Sequence, residues 1–405
     1  MSRIVLASIA ATGHVYPLLG VARTLVERGE EVLFLIPEHY REIARASGAT
    51  VLTYPTTILP TGAPRRLNGF RMGHIPANLA REVLTAFPVL FEHLQRLRPA
   101  GVIHDSLTVA ARLAAEAADI PTIRMNFSYC LGPHLNYYRD TEEGWIPGQL
   151  TTPETLAQFD SQLEPFFARQ RLRPRTFHEL VSEPAPLDLV PLSRTFHPHA
   201  DRYPDHVHFV GPTLRADARP KIPMPELAVS RSQPLLLVSL GSVFTFQAAF
   251  FSTCIEALAD LDAHVVLVVG DTLPEVLWAD LSPNISVYRV VPQPELLARA
   301  EVFITHGGMG SVMEALLAGV PMLVVPQFPE QWLTGQRITE LRAGWMLERE
   351  DVSVRTLRNA LVSVRDNPSF RAQAVRLGEE LRQCGGAARA ADLIQGFLAG
   401  QEVSR

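Results

Sequence analysis

Val302-Phe-Ile-Thr-His306-Gly-Gly308-Met-Gly310-Ser311-Val-Met-Glu314-Ala-Leu-Leu-Ala-Gly-Val-Pro321 is the stretch that decides how this chain folds. A run suited to a buried strand ends at His306, three glycines follow within four residues, and apolar residues then recur at helical spacing from about Ser311. Strand, glycine turn and helix together make an anion site, because glycines allow close backbone approach and a helix start offers unpaired N–H groups at the positive end of its dipole. A plainer use exists, since Ser311-x-x-Glu314 also fits the pattern of a capping box. The surroundings favour phosphate. The next strand, Pro321 to Pro326, leads into Gln-Phe-Pro-Glu330-Gln331, whose acid and amide are suited to sugar hydroxyls. Ser239-Leu-Gly241-Ser242 and Val291-Pro-Gln293 end two more strands, so four loops converge on the rim where doubly wound sheets bind ligands.

Outward from this stretch, short β-rich runs alternate with helical ones. Pro234 to Gly241, His264 to Gly270, Ile285 to Val291 and Val302 to His306 precede Pro321 to Pro326 in the second half. Arg3 to Ala10, Glu31 to Pro37, Ala49 to Pro55, Gly101 to Asp105 and Thr122 to Ser128 repeat the pattern in the first. Such alternation predicts an α/β chain with two Rossmann-like, doubly wound parallel sheets facing each other across a cleft. Pro212 to Pro234 carries five prolines and no periodicity, which places an N-terminal domain at 1–211, a linker at 212–233 and a C-terminal domain at 234–405, with the last helix able to return to the N-terminal domain. Thr56 to Phe91 and Phe127 to Phe177 read as irregular insertions rich in Phe, Tyr, His and Pro, and long insertions of that kind are more often functional than idle.

Composition narrows the ligand. With 405 residues, 47% of them apolar, the chain has material for two cores, while a net charge of −5 and no basic run argue against nucleic acid. Three scattered cysteines suggest neither disulfides nor zinc and fit a reducing cytoplasm. No run of about 18 apolar residues is present, so no membrane span is expected. Asp260-x-Asp262 precedes a strand instead of following one, and the pairs His197/His199 and His206/His208 lack a third ligand, so no metal is expected. No G-x-G-x-x-G follows the first strand, which disfavours a nicotinamide enzyme.

In the first half, Ala11-Thr-Gly13-His14 follows the first strand and Asp105 closes the fourth. In a sheet of order 3-2-1-4-5 these strands are neighbours, so His14 and Asp105 meet at one rim. Each alone has a simpler use, capping a loop or a helix. Together they make a histidine base oriented by a carboxylate, which is what activation of a hydroxyl near neutral pH requires.

With these residues assembled, the chain resembles the UDP-dependent glycosyltransferases, specifically the bacterial macrolide branch of family GT1 with the GT-B fold. The resemblance implies that His14 is the base and Asp105 its partner. It implies a donor site made of Gly241, Ser242, Val291, Gln293, His306, Gly308, Gly310, Ser311, Glu314, Glu330 and Gln331, with Glu314 on the ribose, His306 and the glycine loop on the diphosphate, and Glu330 and Gln331 on the sugar. Three positions depart from the usual pattern: Val290 replaces a Trp or Arg that stacks on the base, Gly310 replaces an Asn, and Tyr16 replaces an Asn near the catalytic loop.

The expected reaction is inverting transfer of a hexose from a UDP- or TDP-sugar to a hydroxyl of a hydrophobic small molecule such as a macrolide, polyketide or flavonoid. No cofactor is expected, because His306, the glycine loop and the helix start supply positive potential for the leaving diphosphate. The expected assembly is a monomer or homodimer. Two other readings share the fold: a nucleotide-sugar epimerase, which needs no acceptor pocket, and a non-catalytic partner protein, which needs no His14–Asp105 pair.

Overall fold

The structure is a computed structural model that describes residues 2–58, 74–132, 134–136, 151–225, 233–242, 247–270 and 281–400. The chain divides into two compact units, Met1–Pro220 with Gln383–Arg405, and Lys221–Arg382.

In the first unit the strands are β1 (Arg3–Ala7), β2 (Glu31–Pro37), β3 (Thr50–Tyr54), β4 (Gly101–Asp105), β5 (Thr122–Met125), β6 (Leu187–Val190) and β7 (Val207–Phe209). Between them run helices α1 (Thr12–Glu27), α2 (Arg41–Arg45), α3 (Ile75–Leu97), α4 (Val109–Ala117), α5 (Pro153–Gln170) and α6 (Phe177–Ser182). The sheet is parallel throughout, in the order β3-β2-β1-β4-β5-β6-β7. β1 is central, with Val5 level with Leu33 on one side and Val102 on the other. Helices cover both faces of such a sheet, which is why Ile4, Val5, Leu6 and Ala7 form an unbroken apolar run and are fully buried. Chain order reverses between β1 and β4, and the loops after these two strands therefore diverge and leave a crevice at their C-terminal ends.

The second unit repeats the plan. Its strands are β8 (Leu235–Ser239), β9 (His264–Val268), β10 (Ile285–Tyr288), β11 (Ala300–Thr305), β12 (Met322–Val324) and β13 (Gly344–Met346), in the order β10-β9-β8-β11-β12-β13. Helices α7 (Ala248–Leu258), α8 (Gln293–Leu297), α9 (Met309–Leu317), α10 (Pro329–Glu340), α11 (Val354–Asp366) and α12 (Pro368–Gln383) complete it. The switch here lies between β8 and β11, so Gly241 and the glycine turn after His306 stand on either side of it.

The final helix, α13 (Gly386–Leu398), belongs to the first unit. It buries Ala390, Ala391, Leu393 and Ile394 in the core that α1 fills with Leu18, Leu19, Ala22 and Leu25. Arg28, which caps the C-terminal end of α1, donates to Asp392 at 2.7 Å and to Gln395 at 2.8 Å. The first unit also extends past the linker start read at 212. Thr213 Oγ1 donates to the Pro17 carbonyl at 2.8 Å, and Arg215 pairs with Glu27 at 2.7 Å. Gly20 makes this approach possible, because a Cβ there would overlap the Thr213 carbonyl.

The two insertions are more regular than their sequence suggests. Residues 59–73 of the first, and 133 and 137–150 of the second, lie outside the described residues. The remainder contains α3 and α5, two long helices packed together, with Phe87 and Phe166 edge to face at 4.8 Å. β6, β7 and β13 extend the sheets beyond the five strands read in each half. Buried Arg124 and Asp188 form an ion pair at facing positions of β5 and β6.

Candidate active site

At the first switch point the chain turns sharply after β1, and His14 falls in the first turn of α1. Asp105 is the last residue of β4. His14 Nδ1 lies 2.8 Å from Asp105 Oδ1, with the two residues 8% and 1% exposed. Three further donors hold the carboxylate: the Leu107 N–H on Oδ1 at 2.9 Å, the Ile9 N–H on Oδ2 at 3.1 Å, and the Thr108 hydroxyl on Oδ2. Burial alone would raise the Asp105 carboxyl, but the facing His14 and the hydrogen bonds from His14, Thr108 and Leu107 outweigh it and hold the group below the ordinary carboxylate value. An ionised acceptor on Nδ1 assigns the proton to that nitrogen and leaves Nε2 as the ring's acceptor. The Phe127 ring lies on the imidazole face, centroids 3.7 Å apart and planes 29° from parallel.

At the second switch point His306 is 9% exposed, its ring packed between two glycines. A Cβ on Gly241, where φ is +73°, would lie 2.6 Å from His306 Cε1, and a Cβ on Gly308 would overlap Nε2. Glycine at both places is therefore a steric condition for the ring's position. Burial pushes the His306 imidazole down to about 4. The ring is neutral near pH 7, so it offers a hydrogen bond where the sequence suggested positive charge. Gly307, at φ +83°, ties this turn to the next, because a Cβ there would press on Val324 at 2.8 Å and on the Gln331 carbonyl at 3.1 Å.

The helix after the turn begins earlier than its sequence suggests. Gly308 is the N-cap of α9 and makes no side-chain cap, so Ser311 lies inside the first turn and the capping-box pattern is not realised. Gln293 engages both residues of that pattern instead, its Nε2 donating to Glu314 Oε2 at 2.7 Å and to Ser311 Oγ at 3.2 Å. Glu330 and Gln331 are buried in the first turn of α10, where Gln331 Oε1 accepts from the Gln327 N–H at 3.0 Å. Val291 is buried, Val290 is 62% exposed and Ser242 is exposed. Gly310 faces open space, with nothing within 4 Å of a Cβ placed there. Tyr16 lies beneath Arg219, whose guanidinium sits 4.6 Å from the ring centroid.

The structure thus joins His14 with Asp105, Gly241 with His306 and Gly308, and Gln293 with Ser311 and Glu314. Thr108 and Phe127 belong to the first group without having been singled out. Thr108 had a signal, because a threonine three residues after a strand-ending aspartate is placed to bond its carboxylate. Phe127 had none, since its contact depends on the pairing of β4 with β5. Of the paired histidines, His197 has another duty: its Nε2 accepts from the Cys130 N–H at 3.0 Å and its Nδ1 donates to the Pro198 carbonyl at 2.6 Å. Asp260 pairs with Arg358. Among the described residues no group of three or more His, Cys, Asp or Glu could hold a metal ion, and no helix is long and apolar enough to cross a membrane.

Comparison with known proteins gives these sites their context. Residues 252–386 match the family described as erythromycin biosynthesis protein CIII-like, C-terminal domain. The NDP-glycosyltransferase YjiC of Bacillus licheniformis is 33% identical over 399 residues, 98% of each chain. This chain belongs to the macrolide-type glycosyltransferases of family GT1. The oleandomycin glycosyltransferase of Streptomyces antibioticus is 30% identical over 98% of this chain and 91% of its own. Among solved structures, the calicheamicin glycosyltransferase CalG4 superposes with a TM-score of 0.81 at 29% identity, covering 98% of both chains. The glycosyltransferase therefore has the GT-B fold, two parallel-sheet Rossmann-like domains. His14 with Asp105, and Gly241 with His306 and Gly308, lie at the switch points of those two sheets.

Proposed function

We propose that this glycosyltransferase transfers a hexose, with inversion, from a UDP- or TDP-sugar to a hydroxyl of a bulky hydrophobic acceptor of the polyketide or macrolide class. The observation that carries the reading is the His14–Asp105 pair: Nδ1 is committed to a carboxylate held by three further donors, and Nε2 is left to take a proton. An epimerase has no acceptor to deprotonate, so an imidazole built in this way favours transfer.

In this reading Nε2 removes the acceptor's hydroxyl proton as the oxygen bonds to the anomeric carbon, and the bond from that carbon to the diphosphate breaks on the opposite face. One displacement inverts the centre. The Asp105 carboxylate stabilises the imidazolium that results. Charge developing on the diphosphate is met by the N–H groups at the start of α9 and by one hydrogen bond from neutral His306. Gln293 holds Glu314 ready for the ribose hydroxyls, and Glu330 and Gln331 hold the sugar. Gly241, Ser242, Val291, Gly308, Gly310 and Ser311 shape the nucleotide's bed. Protein donors alone do this work, with no metal ion or other cofactor assigned a step. That a relative is named as the oleandomycin glycosyltransferase supports the acceptor class.

His14→Ala tests the assignment. With UDP-glucose and a hydrophobic aliphatic-alcohol acceptor, whose hydroxyl stays protonated near neutral pH, kcat should fall by about 10²- to 10⁴-fold while UDP still raises the melting temperature. Full activity in that variant would overturn it.

A further inference from the structure

We infer that Phe127 is a positioning residue for the reaction, holding the plane of the His14 imidazole so that Nε2 is presented in one direction. This inference rests on the reading of His14 as base. A hydrogen bond from Nδ1 to Asp105 fixes one point on the ring but leaves it free to tilt about that contact, and the torsion that would resist such tilting is broad for histidine. The Phe127 ring removes that freedom by lying against the face at 3.7 Å.

The local structure shows that Phe127 is placed for this contact and not for the core. Asn126, immediately before it, is fully buried and bound twice to the Leu189 carbonyl of β6, through its N–H at 2.8 Å and its Nδ2 at 3.2 Å. Ser128, immediately after it, is also fully buried. Between two buried polar residues the aromatic ring is the one left partly exposed, at the C-terminal end of β5, the reverse of what hydrophobic burial alone would choose. An aromatic face also attracts the positive charge that the imidazole acquires when Nε2 takes a proton. Both effects act on the chemical step, so they should appear in kcat.

The test is a double-mutant cycle with UDP-glucose and the same aliphatic-alcohol acceptor. Phe127→Leu, which keeps an apolar side chain of similar bulk, should lower kcat about tenfold and leave the acceptor KM within about twofold. Phe127→Tyr, which restores the flat ring, should recover most of that loss. In a His14→Ala background Phe127→Leu should change kcat no further, because the group through which it acts is gone. A rise in KM at constant kcat, or an equal fall of kcat with and without His14, would overturn the inference and make Phe127 part of the acceptor wall or the core. If His14→Ala itself keeps full activity, the base assignment fails instead, and the two failures are read from different arms of the cycle. The UDP-induced thermal shift, measured on every variant, verifies that the chain is folded.

Discussion

An imidazole sealed between two glycine backbones costs folding energy whenever it must carry a proton. His306 ordinarily titrates near 6.5 and is pushed down to about 4 by burial. Above pH 6.5 neither folded nor unfolded chain holds the proton, and its contribution to stability is complete. As pH falls from 6.5 toward 4 the unfolded chain takes up a proton that the folded chain refuses, and stability declines by up to about 3 kcal/mol. His104, buried at the end of β4 and also pushed to about 4, acts in the same direction. The urea midpoint should therefore drop across that range, and His306→Gln should make the drop shallower without abolishing it. An identical pH profile in the variant would mean that the ring meets solvent in the native state. At this scale the sequence was informative where chemistry follows strand order. His14 and Asp105 could be paired on paper because neighbouring strands deliver them to one rim. The neutrality of His306 could not be read, since it comes from what surrounds the ring.

The glycine turn and α9 form the element on which the proposed donor site depends, and two of its glycines should answer substitution with opposite signs. A methyl group on Gly308 overlaps the His306 ring, so Gly308→Ala forces a rearrangement costing about 1–3 kcal/mol and should weaken the UDP-induced thermal shift. Gly310 has ordinary helical backbone and empty space around it. Gly310→Ala should raise stability to unfolding by about 0.5–1 kcal/mol, because alanine loses less backbone freedom in a helix. Denaturant titration of both variants measures the contrast, and destabilisation by Gly310→Ala would contradict the helix start placed here. Other elements were hidden by local features that misdirect a reader of the sequence. α3 contains Pro88 and α5 contains Pro165, and proline inside a helix is unfavourable by roughly 3 kcal/mol. Both helices form nonetheless, because Leu79, Val83, Phe87, Leu90 and Leu94 make one apolar stripe and Phe159, Leu163, Phe166 and Phe167 make its counterpart.

Over the whole molecule, the alternation of buried strands with helices was sufficient to give two parallel sheets. What it left out were short strands: β7 and β13 have three residues each, too few for any period, and β6 is masked by the charge of Asp188. The ownership of α13 follows from packing alone. Deleting 384–405 would strip Leu393 and Ile394 from the first core, where burial of each such side chain contributes about 1.5–3 kcal/mol. The truncated chain should lose several kcal/mol of stability, and limited proteolysis should cut its first unit while the second, complete without α13, resists longer. Equal resistance of both units would show that α13 contributes little.

That helix also sets a timetable for biogenesis. A ribosome releases the N-terminal sheet early, yet the segment that seals its core emerges only after all of 221–382. At about 5–20 residues per second the unfinished α1 surface waits on the order of ten seconds or longer, a window for chaperone capture or misassembly. The second unit is contiguous in the chain and has no such delay, so substitutions that slow translation of the last hundred codons should reduce the yield of folded protein chiefly through the domain that was made first.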